Sequence, residues 1–203
     1  MTTTPADRSN GYEAVSGEFV AIRSRSSIGI SIVRDWAGCL PPGGSVLDLG
    51  CGNGVPVAKA LIDEGFAVYG VDASPTMIAS FRARFPGSPA ECSAVEDAQF
   101  LRCRFDGAIA WGLMFLLPPD VQRALVHRVA LALEPGGRFL FTAPEQACEW
   151  PDTLTGRRSV SLGSAAYREA LESEGLALVG EAEDEGRNHY YVVNKPASLG
   201  SAA

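Results

Sequence analysis

Two aspartates and three alternating glycines, Asp48, Gly50, Gly52, Gly54 and Asp72, are the residues of this chain best spaced to hold a small ligand. Glycine at every second position lets a backbone turn sharply and approach a ligand closely at the mouth of a helix. The segment reads Asp48-Leu49-Gly50-Cys51-Gly52-Asn53-Gly54, and Val55 stands where the dinucleotide fingerprint needs its last glycine. A nicotinamide-dependent oxidoreductase is therefore the least favoured reading. Asp48 would sit badly beside a pyrophosphate but suits a ligand carrying an ammonium group. Asp72 closes the next apolar run, where a carboxylate can accept both hydroxyls of a ribose. Of the two histidines, His189 falls at a predicted turn and reads either as a general base or as a loop residue bonded to a backbone carbonyl. His127 falls inside a helical pattern and is expected at the surface.

The elements that must position these residues follow from the apolar periodicity. Strands are predicted at 45–49, 66–72, 89–94, 105–111 and 137–144, with helices at 57–64, 74–85 and 118–133 between them. Strands that alternate with helices imply right-handed crossovers and a parallel sheet covered on both faces. The glycine turn then lies at the carboxyl end of the first strand, where open parallel sheets bind ligands. Pro56 is tolerated in the first helical turn after it. Further on, 145–163 reads as a loop, 164–174 as a helix, and 176–181 and 189–194 as strands. The gap between those two strands is too short for a crossover, so they are expected to pair as an antiparallel hairpin. Helices at 11–22 and 27–40 precede the first strand and end at Pro41-Pro42-Gly43-Gly44.

With these residues in place, the sequence resembles the class I S-adenosylmethionine-dependent methyltransferases through VLDLGCGNG (46–54), VYGVDAS (68–74) and LEPGGRFLFT (133–142). The resemblance spans roughly residues 45–195. It implies a Rossmann-like, doubly wound seven-stranded sheet of order 3-2-1-4-5-7-6 with the last strand antiparallel, consistent with the hairpin inferred from the loop length. It also implies S-adenosylmethionine as cofactor, S-adenosylhomocysteine as product, and the motif residues Gly50, Cys51, Gly52 and Gly54 around the methionine and ribose. Asp48 would orient the turn and the ammonium, and Asp72 would take the ribose. Ala73 and Met77 would flank the adenine. Ala94 stands where the family often carries an acid for the adenine amino group; Val95 could serve through its backbone N–H, and Glu96 is either a base contact or a solvated loop charge.

In such an architecture the loops after strands one, two, four and five, together with the final hairpin, open onto the reacting face. Their expected exposed tips are Trp111, Met114 and Phe115, then Pro144, Glu145 and Trp150, then His189 and Tyr190. Trp111, Phe115 and Trp150 read either as core or as a cage for an apolar or cationic acceptor. The similar family implies that the leading segment, with Tyr12, Phe19 and Arg23, folds over the cofactor as a lid. Arg157-Arg158 reads as a carboxylate trap or as surface charge, and the acidic run Glu181, Glu183, Asp184 and Glu185 as a solvated hairpin tip.

Composition sets the outer limits. The chain has 203 residues, 46% of them hydrophobic, with 17 Lys+Arg against 24 Asp+Glu for a net charge of -7. One domain around one core is expected, with residues 1–44 as a helical lid segment, 45–195 as the cofactor-binding domain and 196–203 as a frayed tail. Without clustered cations, nucleic acid and anionic membranes are disfavoured as partners, and a small-molecule acceptor is expected. The start MTTTPADRSN lacks the plan of a signal peptide, which points to the cytoplasm. Cys39, Cys51, Cys92, Cys103 and Cys148 form no metal-ligand spacing and are expected to be buried free thiols. The leading function is methyl transfer to O, N or S of a small molecule; the alternative is a protein that binds the cofactor without turnover.

Overall fold

The computed structural model describes residues 7–23 and 25–197. Its central sheet is built from β1 (Ser45–Leu49), β2 (Ala67–Asp72), β3 (Ala90–Cys92), β4 (Phe105–Ala110), β5 (Leu133–Thr142), β8 (Ala177–Glu183) and β9 (His189–Asn194), in the order β3-β2-β1-β4-β5-β9-β8. β9 runs antiparallel to both β5 and β8, and the remaining pairs are parallel. This is the seven-stranded arrangement with an antiparallel last strand that the motifs imply. The α-helices among the described residues are α1 (Ser16–Arg23), α2 (Ile30–Ala37), α3 (Val57–Asp63), α4 (Pro75–Arg84), α5 (Pro119–Ala132) and α6 (Ser164–Ser173).

Alternation along the strands divides the core between the two faces. Val46 of β1, Ile109 of β4, Leu140 of β5 and Tyr190 of β9 pack with Val33 and Trp36 of α2, Leu61 of α3 and Phe81 of α4. Their chain neighbours Leu47, Ala108, Phe141 and Tyr191 face the other way, toward Leu125 and Val129 of α5 and Tyr167 of α6. With both faces covered, β1 needs no polar side and reads as a nearly continuous apolar run. Past the half-buried Ser45 at its start, Asp48 is the exception.

Several boundaries and one element differ from the sequence reading. The lead-in expected as a helix over 11–22 is a series of turns up to Val15, with helix only from Ser16. Asn10 and Gly11 adopt positive φ there, and the Glu13 carboxylate is bonded outside its own segment. The second helix is confined to 30–37 because Gly29 at φ +75 starts it. The expected loop 145–163 contains a two-stranded ribbon, β6 (Cys148–Pro151) paired antiparallel with β7 (Arg158–Ser161). Asp152 closes its turn by accepting from the Leu154 and Thr155 amides and the Thr155 hydroxyl. Of the five cysteines only Cys51 is buried; the other four are exposed, because they fall at helix ends, strand ends and loops rather than on inward positions. Residues 1–6 and most of the expected tail, 198–203, lie outside the described residues. Among the described residues no helix is long and apolar enough to cross a membrane, and no cluster of His, Cys, Asp or Glu could hold a metal ion.

Candidate functional site

A cavity of about 880 Å³ opens at the carboxyl ends of β1, β2, β4 and β5, between the sheet, α1 and the β6–β7 ribbon. On one side stands the glycine turn. The Gly50 and Cys51 amides both donate to the Val71 carbonyl, at 2.8 and 3.0 Å, while the Gly52 amide donates to Asp72 Oδ2 at 2.9 Å. Asp72 Oδ1 accepts from the Ser74 amide at 2.8 Å, so one carboxylate ties the turn to the start of α4 and still has lone pairs free. Ser74 caps α4 by accepting from the Met77 amide, and Pro75 follows at the position where a missing N–H costs nothing.

Asp48 lies beneath this turn, 2% exposed, with Oδ2 lacking any hydrogen-bond partner. Burial, helped by the charge of Asp72, pushes its carboxyl up to about 7. Burial also raises the pKa of Asp72, against the opposing pull of the Ser74 and Gly52 amides. Two neighbouring acids, one half-buried and one fully buried with an unpartnered oxygen, form a site that a cation would relieve. The turn leaves room for it: a Cβ added at Gly52, at φ +53, would meet only Phe19 at 3.6 Å. Gly54 serves differently. It does not line the cavity, and a Cβ there would come within 2.5 Å of Phe85 and 2.8 Å of Phe81. Its place in the motif is explained by packing against those rings, which corrects its expected ligand role.

The other residues expected around the cofactor, Cys51, Ala73, Met77, Ala94, Val95, Glu96, Trp111 and Tyr12, all line the same cavity. Glu96 is neither free nor fully solvated, since Arg8 pairs with it at 3.0 Å and with Asp97 at 2.7 Å. The loop that carries Ala94 and Val95 is held from behind by Arg128 of α5, which donates to the carbonyls of Val95 and Ala98. Sequence reasoning did not find Arg128; a lone arginine on a helix face carries no signal of its target.

The leading segment crosses this cavity. Glu13 accepts from the Ser74 and Thr76 hydroxyls at the start of α4, while Tyr12 donates to Asp152 Oδ2 in the ribbon turn at 3.0 Å. Asp7 pairs with Arg157 at 2.9 Å, which uses up that arginine, and Arg158 pairs outside the cavity with Glu149. Asp7, Asp152 and Glu13 were missed as well: their partners are distant in sequence.

Arg23, Phe115, Glu145, Trp150 and His189 also line the cavity, and Phe19 lines it from over the turn, 3.6 Å from where a Gly52 Cβ would stand. Phe115 and Trp150 lie with ring centroids 5.4 Å apart. Trp111 carries the Arg23 guanidinium over its ring at 3.9 Å, so that face of the expected cage already holds a cation. Met114 and Tyr190 do not fit the expectation of exposed tips. Met114 is fully buried because the chain tightens into a 3₁₀ turn at 114–116 and directs it into the core. Tyr190 is fully buried because it points to the opposite face from His189; its hydroxyl accepts from Trp111 Nε1 at 2.6 Å and donates to Asp184 Oδ2 at 2.8 Å. Asp184 is accordingly not a solvated tip residue. It is buried and also accepts from the Gly186 and Asn188 amides. His189 packs on Tyr191, with Nε2 at 3.3 Å from Glu181 Oε2. His127 is exposed and pairs with Glu174.

A family model described as a methyltransferase domain matches residues 46–137. The carboxy-S-adenosyl-L-methionine synthase of Chromohalobacter salexigens is 33% identical over 153 residues, covering 66% of this chain and 56% of that protein. This chain spans about half the length of the curated relatives it matches. Among solved structures, the Burkholderia thailandensis 1,6-didemethyltoxoflavin-N1-methyltransferase, with its substrate and S-adenosylhomocysteine bound, superposes with TM-score 0.67 at 19% identity, over 96% of this chain and 93% of that one. The [4+2]-cyclase SpnF superposes with TM-score 0.74 at 15% identity, over 96% and 98%. At these identities the two superpositions establish a shared fold.

Proposed function

We propose that the chain is a class I S-adenosylmethionine-dependent methyltransferase, which binds S-adenosylmethionine and transfers the methyl group to an O, N or S atom of a small molecule; the match of residues 46–137 to a methyltransferase-domain model and the sheet order support this reading. The observation that carries this reading is the continuity of the cavity, which joins the glycine turn and its two acids, Asp48 and Asp72, to aromatic side chains. The residues fit the cofactor: the unpartnered Asp48 Oδ2 is matched to an ammonium, Asp72 to ribose hydroxyls, and the open space at Gly52 to close backbone approach. When bound, S-adenosylmethionine supplies an electrophilic methyl on a sulfonium, whose carbon–sulfur electron pair returns to sulfur as S-adenosylhomocysteine forms.

The rest of the work falls to the chain. Ala73, Met77 and the 94–96 loop hold the adenine end. The leading segment forms a lid that excludes water, and Phe19, Phe115 and Trp150 orient the acceptor. Holding a nucleophile in line near the methyl supplies most of the rate such a reaction needs, so a general base is optional. His189 is the candidate if one is used. A fold shared with a [4+2]-cyclase does not decide chemistry by itself. Calorimetric titration with S-adenosylhomocysteine, followed by a methyl-donor consumption assay over a metabolite panel, tests the proposal. Binding with turnover is expected, binding without turnover would make the chain a cofactor-binding protein, and no binding would end both readings.

A further inference from the structure

The acceptor side of the cavity contains a positive charge that the fold does not use. Arg23, the last residue of α1, is half-buried and stacked on Trp111, and its guanidinium has no hydrogen bond or ion pair among the described residues. Two of the cavity's other three arginines are neutralised. Arg8 is neutralised by Glu96 and Asp97, and Arg157 by Asp7. Only Arg187, on the exposed β8–β9 turn, shares the unpaired condition. Desolvation lowers the pKa of Arg23, and the nearby Tyr190 and Asp184 oppose that only in part.

The Arg23 guanidinium, its carbon 3.9 Å over the Trp111 ring, has N–H groups that no described residue takes, and a guanidinium with free N–H groups can grip a carboxylate with two parallel bonds. A cationic acceptor would meet like charge at that wall. A neutral one would bury guanidinium N–H groups without strong acceptors, which is costly. Phe19, Phe115 and Trp150 supply flat apolar surface beside the charge.

We propose that the methyl acceptor is a small aromatic carboxylate, its ring lying among Phe19, Phe115 and Trp150 and its carboxylate held by Arg23. The proposal rests on the methyl-transfer reading, and the test separates the two. S-adenosylhomocysteine is titrated first; failure to bind removes that reading and this inference with it. With S-adenosylhomocysteine bound, benzoate, benzamide and benzylammonium are then titrated as probes. Benzoate is expected to bind about tenfold or more tightly than either of the others, the range of a charge-assisted bond. In Arg23→Gln that preference over benzamide should shrink to within about twofold, with part of it retained in Arg23→Lys. Equal affinities for the three probes, no measurable benzoate binding, or a preference that persists in Arg23→Gln would each overturn the anion site and leave cofactor binding standing. If Arg23→Gln does not fold, Arg23→Lys carries the test: a benzoate preference undiminished in Arg23→Lys overturns the assignment to Arg23, and a reduced one supports it.

Discussion

Asp48 is a carboxyl held on the edge of ionisation by its surroundings. Its folded pKa of about 7 lies above the ordinary 3.8, so its contribution to stability is fully present below about pH 4 and is lost as pH rises through about 7. An ammonium brought against it reverses the penalty. S-adenosylhomocysteine is therefore expected to bind more tightly as pH rises from about 5.5 to 7.5, and to release a proton near pH 6. Titrations in two buffers of different ionisation enthalpy measure that proton, and Asp48→Asn should abolish it. The two glycines of the turn make a second contrast. Gly54→Ala should cost about 1–3 kcal/mol of stability, read from the denaturant midpoint, because its Cβ collides with Phe81 and Phe85. Gly52→Val should leave the circular dichroism nearly unchanged and remove S-adenosylhomocysteine binding. From the sequence the two positions look equivalent, since the motif records only that a side chain is excluded, not what excludes it. That Asp72 and Gly52 meet at the turn was legible because turn chemistry is local. Tyr190 and Met114 were misread because their direction is set by strand phase and a 3₁₀ turn.

The leading segment gains its place from contacts at both ends rather than from its own helix, which begins only at Ser16. Glu13 holds it to α4, and Tyr12 and Asp7 hold it to the ribbon and its turn. If it is the lid over the cofactor, removing one tether should act on escape more than on encounter. Glu13→Ala is expected to speed S-adenosylhomocysteine dissociation about three- to tenfold, as stopped-flow displacement would show, with little change in association. An unchanged off-rate would mean that the segment covers the site without gating it. The strand and helix order was readable because long alternating elements carry strong periodicity. The β6–β7 ribbon was not: four-residue strands with Pro151 at one end give too few alternations, and only the Asp152-Thr153-Leu154-Thr155-Gly156 turn marks it.

At the scale of the whole molecule, the sheet order places β4, β5 and β9 side by side, so segments far apart in sequence meet at one rim. Trp111 after β4, Tyr190 in β9 and Asp184 after β8 form a single hydrogen-bonded chain, which Gly29 approaches so closely that its Cβ would overlap the Tyr190 hydroxyl. Tyr190→Phe leaves Trp111 Nε1 without its partner and takes one of several donors from Asp184, which keeps Asn188, and should lower stability by about 1–3 kcal/mol in denaturant titration. The same rim determines what His189 can do. It stands on the opposite strand face from Tyr190, its ring packed on Tyr191 and its side chain 15% exposed, with Nε2 buried 3.3 Å from Glu181 Oε2 and without a hydrogen bond. A general base must present an acceptor nitrogen to the substrate, and a base so placed is worth about 10²–10⁴ in rate. Packing and a neighbouring carboxylate instead suit a residue that shapes the wall, while the rate comes from proximity. His189→Gln is thus expected to lower turnover by less than about tenfold and to leave the pH–rate profile unaltered. A loss of a hundredfold or more, with the profile's acid limb removed, would show that the imidazole takes the acceptor's proton.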